Sequence, residues 1–559
     1  MNKDSIKCLL LSDFTINNLA GYLEKDTNDL GIKTIIPPFN QVKQILIDHE
    51  SACWIEKPDV AFVWTRPEGV ISSFNKVLNS EEYSIDEVLD EVDVFSDMLK
   101  NIKKLVNKVF IASWSYDPEI KSWAMLDYKA GIGIPYTIMQ MNKRLMDNFS
   151  GVNDFIFLDS QKWVALCGKD AYHAQHWYLS KTPFHFSVFS HAAGTLKSSI
   201  RALSGKSRKI IILDLDDTLW GGIVGDLGWE NIKLGGHDPV GEAFVDFQKT
   251  LKSYKNKGVL LAIVSKNDEN KALEVFDKHP EMLLRRDDFA GWKINWGDKA
   301  ANIAALMKDV NLGFESAVFI DDNPSERARI KESFPEILVP EMPQDKMLFV
   351  KTLHSLDCFN TAFVSEEDLS RNRMYAEEKN RRSEKAIFRN IEDWIKTTGI
   401  KVCVEKLNIT NIERTVQLLN KTNQMNLSTR RMTEKELTEW ADEKPHFMWT
   451  FTVSDKFGNS GLTGILGLNV IGDVCRIEDF VLSCRVFGRK IEEVMIGYAY
   501  NKAILLKCKT IVAEYIPTDK NTPCFNFFKN SGFAENANLF ELETSKKFLI
   551  PDFIEVFEK

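Results

Sequence analysis

Short apolar runs and longer amphipathic stretches alternate through the first 205 residues. Runs at 7–11 (KCLLL), 60–63 (VAFV), 109–112 (VFIA) and 155–158 (FIFL) read as strands, and 86–106 reads as an amphipathic helix. Strands that alternate with helices predict a parallel α/β layer. The middle of the chain repeats the pattern more strongly. IIIL at 210–213, LLAIV at 260–264 and AVFI at 317–320 are uninterrupted apolar runs, as in strands buried on both faces. A helical pattern covers 300–310. From about residue 400 the order becomes strand, helix, two or three strands, helix, strand, helix. There, 480–483 and 510–514 read as strands around a long helix at 491–506, and 526–533 closes the pattern. A small, basic break at 204–208 (SGKSR) and a change of periodicity after Pro340 and Pro343 mark the boundaries. The predicted organisation is three α/β domains, 1–205, 206–355 and 400–559, with a charge-rich helical linker at 356–399. Within it, 366–396 carries Arg371, Arg373, Arg381 and Arg382. A solvated joining helix and a surface for an acidic carrier protein both fit that stretch.

The strand ends carry the candidate chemistry. The run 210–213 delivers Asp214, Asp216, Asp217 and Thr218 to its C-terminal edge, where open α/β sheets place their sites. Carboxylates this crowded repel unless a cation or a proton neutralises them, and ligand sets made of oxygen alone favour Mg²⁺. The second run ends at Ser265-Lys-Asn-Asp268, and the third at Asp321-Asp-Asn-Pro324. Lys299 opens the helical pattern between them, with Lys293 as a competing lysine. The stretch therefore reads as a Mg²⁺-assisted site for phosphate chemistry.

Composition narrows the class. A chain of 559 residues exceeds a single core, and 44% hydrophobic residues supply several. The net charge of -9 argues against general nucleic-acid binding. Nine scattered cysteines without a C-x-x-C pair indicate neither zinc nor a disulfide framework. No apolar stretch approaches the ~18 residues of a membrane span, and the first residues do not form a signal peptide. The expectation is a cytoplasmic enzyme that uses neither nucleic acid nor membrane.

The ordered motifs Asp214-Leu-Asp216-Asp-Thr218, Ser265, Lys299 and Asp321-Asp322 resemble those of the haloacid-dehalogenase (HAD) phosphohydrolase superfamily. The continuation Thr218-Leu-Trp-Gly-Gly222, FIDDNPSER at 319–327 and the polar string NKTNQMNLSTRR at 420–431 resemble the FkbH-like family of polyketide pathways. That resemblance implies loading of a glyceryl unit from 1,3-bisphosphoglycerate onto the phosphopantetheine of an acyl carrier protein, with loss of its phosphate. It further implies an SGNH-hydrolase-like parallel sheet first, a HAD-like Rossmannoid parallel sheet in the middle and a GNAT-like mixed α+β domain last.

In the HAD resemblance Asp214 is the nucleophile and Asp216 the general acid and base. Thr218 and Ser265 bind phosphoryl oxygens, and Lys299 offsets charge. Asp214, Asp216 (through its carbonyl), Asp321 and Asp322 hold Mg²⁺. Trp220, Gly221 and Gly222 begin a flap. In the SGNH resemblance the nucleophile is Ser12 and the base His173, but the Gly-Asp-Ser block is absent; His173 and His176 could alternatively form a metal pair. In the GNAT resemblance the loop with Arg485 and Gly488 offers N–H groups to coenzyme A or to a carrier-bound phosphopantetheine. One departure matters. Family members that hold an enzyme thioester often carry Cys between the motif I aspartates, and this chain has Leu215. A carrier-loading transferase and a phosphatase of small phosphorylated metabolites both remain open.

Overall fold

The computed structural model describes residues 5–25, 30–120, 122–360, 381, 384, 388, 390–443, 445–545 and 548–559. The chain divides into two compact units, Met1–Arg201 and Ala202–Lys559.

The first unit holds a five-stranded parallel sheet of order β2-β1-β3-β4-β5. Its strands are β1 (Ile6–Leu11), β2 (Ile32–Ile35), β3 (Val60–Val63), β4 (Lys108–Ala112) and β5 (Phe155–Leu158). The short β2 is not announced by any long apolar run. The amphipathic stretch forms the helix Ile85–Asn101 and buries Val88, Val92, Phe95 and Leu99 against the sheet.

The second unit holds two sheets. The first is parallel, of order β8-β7-β6-β9, from β6 (Ile210–Leu213), β7 (Leu260–Ser265), β8 (Phe289–Ile294) and β9 (Ala317–Ile320). Every residue of β6, β7 and β9 is buried, and successive residues face opposite sides. Ile211, Leu213, Ile263 and Val318 join one core, while Ile210, Ile212, Ala262 and Phe319 join the other. Helices cover both faces, which is why the runs are uninterrupted. Central β6 pairs with β7 and β9 in parallel register, Leu213 opposite Ile263 and Ile320. That register brings the three strand ends to one edge.

The second sheet is mixed and eight-stranded, of order β15-β16-β14-β13-β12-β11-β10-β17. It contains β10 (Lys401–Lys406), β11 (His446–Asp455), β12 (Gly458–Ile471), β13 (Val474–Leu482), β14 (Thr510–Glu514), β15 (Ala534–Asn536), β16 (Leu539–Glu543) and β17 (Glu555–Glu558). The pattern predicted fewer elements. Two helices, Ile412–Lys421 and Glu434–Asp442, precede β11, and three short strands close the chain. An ion pair of 2.8 Å between Lys520 and Glu315 joins this part to the start of β9, at the edge opposite Asp214 and Asp321.

The charge-rich stretch lies mostly outside the described residues, Arg371, Arg373 and Arg382 included. Arg381 is described. It is buried and pairs through two nitrogens with Asp455, so its charge is spent inside the fold.

Candidate active site

The motif residues converge at the C-terminal edge of β6, β7 and β9. Asp214 follows β6 directly and its N–H donates to the carbonyl of Ile320, which ties it to the end of β9. Asp321 is the next residue of that strand's chain. Lys299 starts the helix Lys299–Val310, whose N-cap is the Asp298 side chain. A residue at the first helical position points back over the strand ends. Its ammonium lies 2.9 Å from Asp214 Oδ2 and 2.6 Å from Asp321 Oδ2. Lys293 instead pairs with Asp309 at 2.7 Å, on a partly exposed side chain. The geometry thus separates the two candidate lysines.

Asp214, Asp321 and Asp322 offer carboxylate oxygens that all lie within 4.8 Å of one another. Asp214 Oδ1 is buried and has no hydrogen-bond partner. A buried carboxylate oxygen left unpaired is costly unless a ligand meets it. Burial pushes the Asp321 pKa up to about 6, with the Asp214 charge adding to the effect and Lys299 opposing it. For Lys299, burial works against the ammonium, but the two carboxylates outweigh it and its pKa is raised.

Asp216 is held apart from this trio. Its Oδ1 accepts from Trp220 Nε1 at 2.9 Å and from the Val224 N–H at 3.1 Å; its Oδ2 accepts from Asn267 Nδ2 at 2.8 Å. Burial raises its pKa; the two Oδ1 donors oppose this, and the Asp214 and Asp217 charges add to it. Trp220 is fully buried and packs edge-on against Phe276, so it serves the core as well as Asp216. The glycines after it allow the chain to fold back. Gly222 has φ +95°, and a Cβ there would meet Leu227 Cδ1 at 2.6 Å. Thr218 Oγ1 accepts from the Asp322 N–H at 3.2 Å. Ser265 ends β7 with a buried side chain.

Three further residues belong here. Asn267 holds Asp216, as above. Lys346 donates to the carbonyl of Asp217 at 2.8 Å and to Asp322 Oδ2 at 2.9 Å. Buried Arg327 donates to the carbonyls of Asp321 and Asp322 at 2.9 and 2.8 Å, fixing the loop after β9. Leu215 is fully buried in the core beside Trp220. No cysteine pairs with the site carboxylates among the described residues.

The other candidates are arranged differently. Ser12 Oγ accepts from the Phe14 N–H at 3.1 Å and makes no hydrogen bond to His173. His173 Nδ1 accepts from the His176 N–H at 3.3 Å and caps the helix Ala174–Ser180; the two rings stack at 3.7 Å. Ser12→Ala is therefore expected to leave phosphate release at the Asp214 site at wild-type rates. Steady-state kinetics of the purified variant checks this, and a large loss with the fold intact would place chemistry in the first unit. Arg485 and Gly488 lie in the loop before the helix Ile491–Leu505, with Gly488 at φ +77°.

No family model matches this chain, and no curated protein is similar to it in sequence. Among solved structures, the N-terminal part of BF1531 from Bacteroides fragilis, which contains a phosphatase domain complexed with Mg, is 29% identical. It covers 64% of this chain and 95% of its own length, with a TM-score of 0.59. The ribosomal-protein-S18-alanine N-acetyltransferase of Escherichia coli is 9% identical over 26% of this chain and 96% of its own, with a TM-score of 0.22. Ard1 from Thermoplasma volcanium is 15% identical over 25% of this chain and 97% of its own, with a TM-score of 0.22. The chain is an α/β protein that joins a HAD-like phosphatase fold to a mixed eight-stranded sheet. No described helix is long and apolar enough to cross a membrane.

Proposed function

We propose that this chain is a Mg²⁺-dependent enzyme of the FkbH-like kind. It loads a glyceryl-type unit from a doubly phosphorylated donor such as 1,3-bisphosphoglycerate onto the phosphopantetheine thiol of an acyl carrier protein. It also removes the remaining phosphate, in polyketide or related secondary-metabolite assembly. The observation that carries this reading is the contact of Lys299 with both Asp214 and Asp321 beside Asp322.

The oxygen-only donor set and the unpartnered Asp214 Oδ1 fit Mg²⁺. Asp214, Asp321 and Asp322 would hold it, with the Asp216 carbonyl; its chemistry is to neutralise charge on phosphoryl oxygens. In loading, the carrier thiol attacks the acyl carbon, and its proton leaves with the departing phosphate. The thioester forms, the bond from that carbon to the phosphate oxygen breaks, and phosphate leaves. In dephosphorylation, Asp214 attacks phosphorus while Asp216 protonates the leaving oxygen. Water then attacks the aspartyl phosphate, Asp216 takes its proton, and phosphate departs from a restored Asp214. Thr218 and Ser265 hold phosphoryl oxygens, and Lys299 offsets their charge.

A second reading, a phosphatase of small phosphorylated metabolites, is favoured by Leu215. Its side chain is buried in the core, so this position offers no thiol to carry an acyl group. Both readings require phosphate release that depends on Mg²⁺. Release measured from acyl phosphates and phosphate esters should vanish in excess EDTA and return with added Mg²⁺; undiminished release in EDTA would remove both.

A further inference from the structure

The loop that a GNAT-type domain presents to a diphosphate is already occupied by this chain's own carboxylate. Glu492 lies in the first turn of the helix Ile491–Leu505, and its Oε1 accepts from the N–H of Gly488 at 3.0 Å. That is the glycine whose N–H the motif would offer to phosphate. Glu492 is only 5% exposed, and its second oxygen is buried without a hydrogen-bond partner. Lys490, in the left-handed region at φ +67°, turns to Glu493 at 3.0 Å and Glu392 at 3.5 Å. A helix N-terminus stabilises an anion through its unpaired N–H groups and its dipole. Glu492 takes that stabilisation, and a phosphate in the same place would face a negative charge.

A second occupation lies alongside. β13 pairs with β14 only over Val474–Ile477, while on its other side it stays paired with β12 as far as Leu482. Beyond that point the 425–427 segment of the polar string runs antiparallel to β13. The Leu427 N–H donates to Phe480 O at 3.1 Å, and the Leu482 N–H to Met425 O at 2.9 Å. The Ile516 N–H donates to Leu427 O at 3.0 Å, and Asn521 Nδ2 to Asn426 O at 3.0 Å. An extended pantetheine arm would add to such an edge through the same backbone groups. They are taken.

We propose that Glu492 is the specificity-determining residue of the GNAT-like part, an internal anion that excludes coenzyme A and other diphosphates, while the 425–427 segment covers the edge that a pantetheine arm would use. Burial, with the Glu493 charge adding to it, pushes the Glu492 pKa up to about 7, so its charge is complete only above neutral pH, while the oxygen occupies the Gly488 N–H in either form. The inference does not depend on the carrier-loading reaction, because its test reads binding alone.

The test is equilibrium binding of ADP, a diphosphate without a pantetheine arm, and of coenzyme A to the full chain. Wild type, Glu492→Gln and Glu492→Ala are compared, with thermal melting to confirm folding. Wild type is expected to bind neither probe saturably. Glu492→Ala, which frees the Gly488 N–H and removes the charge, should bind ADP at least about tenfold more tightly than wild type, with Glu492→Gln between them. Coenzyme A should bind Glu492→Ala no more tightly than ADP. Saturable binding of coenzyme A by wild type overturns the proposal, and so does Glu492→Ala binding ADP no better than wild type. Much tighter binding of coenzyme A than of ADP by Glu492→Ala overturns the role of the 425–427 segment.

Discussion

Replacing Asp214 by asparagine is expected to lower Mg²⁺-dependent phosphate release by at least ~10²–10³-fold, the scale set by losing a group that acts in the transition state. Asparagine keeps the size of the side chain and still offers one oxygen towards Lys299. What it loses is the anionic oxygen that bonds to phosphorus. Of the two Asp214 oxygens, Oδ2 is engaged by Lys299, and Oδ1 is buried and unpartnered. Turnover and thermal melting measured on the same preparation separate chemistry from folding. A well-folded variant with wild-type turnover would move the nucleophile elsewhere.

Lys299→Met should affect both activity and stability. The ammonium sits between two buried carboxylates, with a side chain only 4% exposed. Removing one partner of a buried ionic contact costs roughly 3–5 kcal/mol, because the charges left behind are neither solvated nor paired. The melting temperature should therefore fall in EDTA and recover in part with Mg²⁺, which stabilises the state that binds it. Turnover should fall by ~10²–10³-fold even with saturating Mg²⁺, since the charge on the phosphoryl group loses its fixed cation. Lys293→Met is the matched control. Its ion pair with Asp309 lies at the surface and is partly exposed, and surface pairs contribute about 0–1 kcal/mol. Equal losses in the two variants would contradict the assignment of Lys299.

The parallel sheet around the site was legible because its strands are buried on both faces and carry no polar interruption. Once 210–213, 260–264 and 317–320 are aligned in parallel, Asp214, Ser265 and Asp321 must share an edge, and a helix that starts at Lys299 points its first residue at them. The partners of Asp216 were less legible. Asn267 stands in the same strand-end motif, but only the fold shows that its amide reaches Asp216 Oδ2. Lys346 lies in a short turn, 24 residues beyond Asp322, and nothing in its neighbourhood marks it as a site residue. The short strands β2 and β17 pair with partners far along the chain, β15 is a three-residue arm of a local hairpin with β16, and all three have little internal pattern. The polar string at 420–431 shows no period because it begins as the end of the helix Ile412–Lys421 and then runs as extended chain between β13 and Ile516. Arg430 and Arg431 are spent on Asp479, Glu478 and nearby carbonyl groups. The glycine loop at 485–488 was visible as a motif, whereas the return of Glu492 onto Gly488 follows from the geometry of the first helical turn.

Carrier loading is tested most directly by the intact mass of a holo-acyl carrier protein after incubation with this enzyme, Mg²⁺ and 1,3-bisphosphoglycerate. The account predicts that the carrier gains a glyceryl unit with the wild-type enzyme, and that a phosphorylated glyceryl unit persists on it with Asp214→Asn. A carrier of unchanged mass with every acyl-phosphate donor, while free phosphate is still released from small metabolites, would contradict it and leave the phosphatase reading in its place.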